Sequence, residues 1–501
     1  MRYQSFIGLE VHIHLLTKTK VFCRCRSAFG DEPNTNVCPV CMGYPGVLPT
    51  LNIEAMRMGC MVARALNCAI PERTWFERKQ YFYPDMTKNY QISQFASPLG
   101  QGGWVDLEGR SGGGAGAVGG TGARRVRIKE CHLEEDAGKM VHTGTVSLLD
   151  YNRAGVSLLE IVTEPDMETG EEAEHFIREL RRMVRYLGVC DGNMEEGSLR
   201  ADANVSINLP GAGLGKKVEI KNLNSSRFVK LALNYEIRRQ GEALDAGRTV
   251  VQETRLWNEN RDETVPMRQK ENAQDYRYFP EPDLPVFCPG EDFRQSVEAA
   301  LVELPRSRMR RLMKDYGLTG EAAELIGDEK EGADYFEAAV SAAAEEAGLS
   351  KREAASRIAN WFLSDIKHLL GREGIPLRNI ASFSVTPRRL ASLAVMAESG
   401  RISGKIAKQC MELAAAENRD PQEIVKTKGW EQLTDPAAIA SAAKTVLAAE
   451  AGAVAELRAL GADAAEKRRR TLTAYLVGKV IAATEGRADP KIAGAAVAAL
   501  L

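Results

Sequence analysis

Four cysteines crowd into residues 21–43, VFCRCRSAFGDEPNTNVCPVCMG, as a C-x-C pair, Cys23 and Cys25, and a C-x2-C pair, Cys38 and Cys41. Two close thiol pairs at the ends of a loop are the arrangement that completes a tetrahedral zinc shell. Four thiolates leave no coordination position for water or substrate, so such a zinc would fold a loop and do no chemistry. Unliganded or transiently oxidised thiols are the other reading of this spacing. A second chemistry is offered by clustered carboxylates: Glu10 with His12 in GLEVHIH, Glu134, Glu135 and Asp136 in HLEEDAGK, Glu195 and Glu196 in NMEEGSLRAD, and Glu219 in VEIKNLNS. Cations and amides suited to phosphates or to a carboxylate substrate accompany them: Arg78, Lys79, Asn152, Arg153, Arg200, Lys221, Asn222, Arg255 and Arg268. Mg²⁺ takes oxygen ligands together with waters and substrate phosphates. Phosphoryl transfer from ATP draws most of its rate from positioning and charge neutralisation. Carboxylates and cations converging from separate strands suit that reaction, whereas any one cluster taken alone reads as an ordinary solvated face.

The elements that must position these groups are legible as alternation. GLEVHIHL sets Leu9, Val11, Ile13 and Leu15 on one face and Glu10, His12 and His14 on the other, the period of a half-buried strand. SLRADANVSINL repeats the device, with Arg200, Asp202, Asn204 and Ser206 opposite Leu199, Ala201, Ala203, Val205 and Ile207. Several strands sharing such a polar face would form a charged cradle. In EEAEHFIRELRRMVRYLG an apolar stripe of Phe176, Ile177, Leu180, Met183, Val184 and Leu187 predicts a helix that stops at Gly188. RSGGGAGAVGGTGA, residues 110–123, lacks apolar anchors and the P-loop pattern, and reads as a flexible hairpin tip.

Length and composition set the frame. A chain of 501 residues exceeds one compact unit and is expected to form about three domains. The proline-rich stretch YFPEPDLPVFCPGEDF ends the strand-like text, and alanine-rich helical text follows, with a weaker break at AESGRISG. The expected division is 1–293, 294–398 and 399–501. Lys+Arg 66 nearly cancels Asp+Glu 68, which leaves nucleic-acid contact to local patches such as EKRRRT, residues 466–471, itself equally a solvated helix face. Neither a signal peptide nor an apolar run of about 18 residues is visible, so a cytoplasmic protein without a membrane span is expected. In that compartment Cys60, Cys68, Cys131, Cys190, Cys288 and Cys410, at unrelated spacings, read as core residues.

Taken in order, IGLEVHIHL, FGDEPNTNVCPVCMGYPGVLPTLN, RKQYFYPDMTKNYQISQ, HLEEDAGK, NRAGVSLLEIVTEPD, DGNMEEGSLRADANVS, VEIKNLNS, QETRLW and DYRYFPEPDLP closely resemble the B subunits (GatB) of the glutamine-dependent aspartyl/glutamyl-tRNA amidotransferases. SGKIAK and ADPK in the tail match as well. Two departures are the glycine-rich expansion at 110–123 and Gln80 in place of Asn. The resemblance implies an α+β fold: an N-terminal antiparallel-sheet cradle resembling the glutamine synthetase catalytic fold, an all-helical middle domain, and an all-helical YqeY-like tail that holds tRNA. It implies that ATP phosphorylates the side-chain carboxylate of mischarged Glu-tRNA(Gln) or Asp-tRNA(Asn), and that ammonia displaces the phosphate. No glutaminase signature is present, so ammonia is expected from a partner amidase (GatA), with a small third protein (GatC) completing a heterotrimer. Carried over by motif, Mg²⁺ ligands fall on Glu10, His12, Glu134 and Glu135, and catalytic positions on Glu10, His12, Lys79 and Glu135, with Lys79 and Glu135 at the exit of an ammonia channel. ATP and substrate contacts are expected from Arg78, Asn152, Arg153, Glu196, Arg200, Asp202, Glu219, Lys221, Asn222 and Arg255, and structural Zn²⁺ on Cys23, Cys25, Cys38 and Cys41.

Overall fold

The computed structural model describes residues 2–107, 124–267, 276–433, 435–459 and 466–501. Arg268 and the glycine-rich stretch 110–123 lie outside the described residues. The chain forms two compact units, Met1–Leu304 and Pro305–Leu501.

The first unit is built on an 11-stranded sheet. Its strands are β1 (Gln4–His14), β2 (Glu77–Gln80), β3 (Tyr90–Ser93), β4 (Gly100–Leu107), β5 (Arg124–Glu135), β8 (Ser157–Thr163), β9 (Leu199–Asn208), β10 (Val218–Leu223), β11 (Glu253–Asn258), β12 (Glu263–Pro266) and β13 (Phe279–Pro280), with a separate ribbon of β6 (Lys139–Thr143) and β7 (Val146–Asp150). The order across the sheet is β12-β11-β10-β9-β1-β8-β5-β3-β2-β13, with β4 beside β5. Every pairing is antiparallel except β10 with β11.

One face of the sheet carries Ile7, Leu9, Val11 and Ile13 of β1, all essentially inaccessible to solvent. Helices α1 (Ile53–Ala65), α2 (Gly170–Tyr186) and α3 (Ser226–Asp245) share the core with it. Helix α2 forms where its apolar stripe demands: Phe176, Ile177, Leu180, Met183 and Val184 are buried. A capping box between Thr169 and Glu172 satisfies its first N–H groups, and Gly188 after it takes φ +67°, a conformation that favours glycine. Burying a large aliphatic or aromatic side chain contributes about 1.5–3 kcal/mol, so this shared face dominates the stability of the unit. The polar alternates of β1 and β9 gather on the opposite sheet face.

The first unit does not end at 293. The proline-rich stretch adds an edge strand, since Phe279 and Pro280 pair with Arg78 and Glu77 of β2, and Phe287 bridges to Thr74. Helix α4 (Glu291–Ala300) then returns Val297 to the first core, so the chain leaves this unit only after Leu304. Among the described residues the second unit is helical apart from one parallel bridge between Leu433 and Ala488, and it holds two apolar cores. One runs from Leu312 to Val425, and the other gathers Ile439, Leu476, Val480 and Val497. The expected break at 398/399 therefore falls inside the first of these, because Ile402, Ile406, Cys410 and Met411 pack with Leu390 and Leu393. Of the six isolated cysteines five are buried, but Cys288 is exposed on the proline-rich surface segment.

Candidate functional site

Strand register determines which side chains meet. Glu10 lies opposite Asp202 and His12 opposite Arg200 across β1 and β9; His12 also faces Glu160 on β8, which in turn faces His132 on β5. Residues directly opposite share a face, so four central strands aim imidazoles, carboxylates and a guanidinium to the side opposite the buried face of β1. The Nε2 of His12 is 3.3 Å from Glu160 Oε2 and 3.8 Å from Glu134 Oε1. The Nε2 of His132 is 3.2 Å from Glu160 Oε2. One ligand atom each from His12, Glu134 and Glu160 lie within 4.8 Å of one another.

The electrostatics of this cluster are those of carboxylates largely buried beside one another. Burial, and then the charge of Glu160, push the Glu134 carboxyl above its ordinary range. Burial acts the same way on Glu160, but hydrogen bonds to His12 and His132 outweigh it and hold Glu160 well below. Burial disfavours the charged form of both imidazoles, yet Glu160 and Glu134 together raise them. A divalent cation would relieve the repulsion between Glu134 and Glu160 directly. Alternation alone does not single out Glu160 and His132. Their signal is nonetheless present: one carboxylate inside the apolar run SLLEIVT, and His132 two residues before Glu134, on the same pleat.

Around the cluster the polar face continues. The Nδ2 of Asn204 donates to Glu10 Oε1 at 2.8 Å. Lys221 Nζ reaches Asp202 Oδ2 at 2.6 Å and Glu219 Oε1 at 2.9 Å, and these carboxylates more than offset its burial and raise its affinity for a proton. Asp136 accepts from His14 at 2.7 Å and from Arg200 at 2.9 Å, with Arg153 3.4 Å away. Against the cost of burial, Arg200, His14 and Arg153 hold Asp136 far below the usual carboxylate range. On the other flank Lys79 Nζ lies 4.8 Å from the centroid of the Tyr276 ring, and its charge acts on Glu134.

Several expected site residues are placed elsewhere. Glu135 is the pleat neighbour of Glu134 and points the opposite way; its Oε2 accepts from Lys88 Nζ at 2.6 Å and its Oε1 from the Ile92 N–H at 2.9 Å. It lines a cleft of about 190 Å³ with Lys20, Cys41, Arg78 and Lys88. Lys79 and Glu135 are thus not brought together. Arg78 pairs with Glu281 at 2.7 Å and Asp283 at 3.0 Å. Arg255 is in register with core residue Ile220, on the helix side, where it binds Glu253, Thr264 and Glu236. Asn152 ties residues 32–36, accepting from the Asn36 N–H and donating to the Glu32 carbonyl. Arg153 donates to the carbonyls of Ala137 and Gly138. Asn222, at φ +66° beside a β-bulge, donates to the Trp257 carbonyl. Glu195 and Glu196 are exposed in the turn before β9.

The four cysteines form a second cluster, with sulfurs within 4.8 Å of one another. Zn–S bonds of about 2.3 Å would place sulfurs roughly 3.8 Å apart, so the set fits a tetrahedral ion. A Thr19–Arg26 bridge presents Cys23 and Cys25, and a turn closed by Met42 N–H to the Cys38 carbonyl presents the second pair. Lys20, fully buried, donates from Nζ to Cys41 Sγ at 3.6 Å and to the Tyr151 carbonyl at 3.1 Å. Hydrogen bonding from Cys23 draws the Cys41 thiol down, with Lys20 assisting, and burial pushes Cys25 up to about 11. Were the four thiolates to hold a metal, this buried ammonium would offset part of their surplus negative charge, a contribution that no spacing in the sequence points to.

Comparison with known proteins places the chain in a family. Residues 5–294 match the GatB/GatE catalytic domain, and residues 334–501 match the GatB domain. The B subunit of the aspartyl/glutamyl-tRNA(Asn/Gln) amidotransferase of Acaryochloris marina is 42% identical over 497 residues, covering 98% of this chain and 96% of its own. The corresponding protein of Carboxydothermus hydrogenoformans is 42% identical over 495 residues, with 98% and 97% covered. That of Gloeobacter violaceus is 43% identical over 503 residues, with 98% and 85% covered.

Proposed function

The chain belongs to the GatB family, the B subunits of aspartyl/glutamyl-tRNA(Asn/Gln) amidotransferases, and from that premise we propose how its polar sheet face serves the reaction. It acts in the cytoplasm as the component that activates and amidates the side-chain carboxylate of Glu-tRNA(Gln), Asp-tRNA(Asn) or both. The observation that carries this reading is the convergence of His12, Glu134 and Glu160, with Lys79 on one flank and Arg200 and Lys221 on the other. The arrangement supports a cradle of the glutamine synthetase kind. No single helix among the described residues is long and apolar enough to cross a membrane.

A carboxylate is a poor electrophile, so it must first attack the γ-phosphorus of ATP, expelling ADP and forming an acyl phosphate. Ammonia then attacks the acyl carbon and phosphate leaves. His12, Glu134 and Glu160 would hold Mg²⁺, with Glu10 beside them on β1; two carboxylates and an imidazole at this spacing fit it, whereas Glu135 faces the other way. Bound there, Mg²⁺ would neutralise phosphate charge. Lys79 orients the acceptor carboxylate, while Arg200 and Lys221, across the cluster, face the phosphates. The cleft beside Glu135 and Lys88 is the route by which ammonia, released from glutamine by the GatA amidase, reaches the sheet. GatC completes the assembly, the cysteine cluster holds structural Zn²⁺, and the helical tail holds tRNA.

The test is amide formation by the assembled heterotrimer with ATP, Mg²⁺, glutamine and charged tRNA. Glu160→Gln, which removes a charge shared by two imidazoles, should lower turnover at least about 100-fold while the partner's glutaminase activity persists. Full activity in that variant would refute the site assignment.

A further inference from the structure

Beyond the catalytic cluster, the cradle rim carries an aromatic group with no task in the proposed reaction. Phe95 lies two residues beyond β3 and is 60% exposed. It is nonetheless held in place. The buried carboxylate of Glu77 accepts the N–H groups of Phe95 and Ala96 at 2.7 and 2.9 Å. The inner face of the ring stacks on Tyr278 with centroids 4.2 Å apart and an interplanar angle of 11°. Tyr278 in turn meets Tyr276 edge-on at 6.0 Å, and Tyr276 lies under Lys79 Nζ. Burial raises the hydroxyl of Tyr278, and the charge of Glu134 raises it further, so Tyr278 lies within the electrostatic reach of the cluster.

A rigid ring with one open face beside a phosphoryl-transfer site is what a nucleobase stacks upon. Two substrates of the proposed reaction carry adenosine, and sheet order separates them. Arg200 and Lys221 stand on β9 and β10, on one side of His12, Glu134 and Glu160, whereas Phe95, Tyr278 and Lys79 follow or flank β3, β13 and β2 on the other. The triphosphate has its cations on the first side. The acceptor carboxylate has Lys79 on the second, and it is joined through one short aminoacyl ester to the ribose of the last nucleotide of tRNA, an adenosine. We propose that the open face of Phe95, backed by Tyr278, is the stacking platform for the 3′-terminal adenine of the aminoacyl-tRNA, an inference that rests on the function proposed for the site.

The experiment compares intact tRNA with tRNA trimmed of its last nucleotide, binding to the assembled enzyme carrying wild-type chain, Phe95→Ala or Phe95→Trp. Wild type should bind intact tRNA about ten-fold more tightly than trimmed tRNA. Phe95→Ala should lose that difference and raise the KM for charged tRNA about ten-fold with the KM for ATP within two-fold, and Phe95→Trp should restore both. Retained discrimination in Phe95→Ala, or none in wild type, overturns the proposal. A rise in the KM for ATP alone also overturns it, by assigning the platform to the adenine of ATP. If wild type discriminates and Phe95→Ala does not, yet no amide forms, the platform stands and the functional reading falls.

Discussion

Replacing Arg255 by Met separates the charge that belongs to the site from the charge that belongs to the scaffold. Its guanidinium donates from Nε to Thr264 Oγ1 at 2.8 Å, from Nη2 to the Thr264 carbonyl at 2.7 Å and from Nη1 to Glu253 Oε1 at 2.8 Å, and it is 8% exposed. Breaking a buried ion pair by removing one partner costs about 3–5 kcal/mol when the other is stranded. Here neither carboxylate is stranded: Glu236 keeps Arg239, Gln240 and Thr264, and Glu253 keeps Arg239. What remains is an unsatisfied carbonyl, about 1–3 kcal/mol, partly offset by the apolar Met filling the stem's place. The expected loss is therefore about 2 kcal/mol, a fall in the melting temperature of the first unit on the order of 5 °C. In the assembled enzyme, the KM for ATP should stay within two-fold. A ten-fold higher KM for ATP with unchanged melting would refute the placement of Arg255 and return it to the nucleotide site.

Cys38→Ser should remove the metal, about one zinc per chain by elemental analysis, while ATP-dependent chemistry survives wherever the fold does; loss of chemistry in a folded variant would make the cluster catalytic. Asp136→Asn should cost about 3 kcal/mol in denaturant unfolding at pH 7, since Arg200, Arg153 and His14 lose their shared partner. Because the native carboxyl is depressed, its contribution is full above the unfolded value near about 4 and fades as pH falls below it toward the native one, so the two proteins should converge in acid. An undiminished gap at pH 2 would contradict that origin. Truncation after residue 430 should leave a chain with a cooperative melt, whereas truncation after 398 strips Ile402, Ile406, Cys410 and Met411 from the middle core and should expose apolar surface to a hydrophobic dye. Equal behaviour of the two would mean that the cores divide elsewhere.

How far the sequence is legible follows from what alternation encodes. In β1 and β9 the period of two, with one wholly apolar face, identifies both the strands and their polar alternates, and the register brings these side by side. Alternation says nothing about a strand whose polar-side positions are mostly apolar, with Leu158 and Val162 on either side of its one carboxylate. Glu160 sits in such a strand, its side occupied by imidazoles, and in sequence it looks like a stray charge in an apolar run. Nor does alternation say which face is the core when a helix brings its own charge. Glu253, Arg255 and Trp257 point toward α3, where Glu236 waits, so a basic residue in a family motif reads in sequence as a ligand contact. The proline-rich stretch misleads for a related reason: proline is tolerated at a sheet edge, and Pro280 lies in the edge strand.

The pair Glu134–Glu135 carries the sharpest consequence of the same pleat. As a motif the two read as one acidic site, but adjacent strand residues cannot share a face. Glu134 joins the metal-competent cluster, and Glu135, paired with Lys88, lines the cleft beside the cysteine loop. One dipeptide thus presents a carboxylate to each side of the sheet, where the proposed reaction would bring phosphoryl transfer and ammonia delivery together. The carboxylate that repels its neighbour is the one suited to a cation, and the carboxylate already neutralised is the one that lines the cleft. That division is fixed by backbone geometry: displacing β5 by a single residue would exchange the two positions and leave neither site complete.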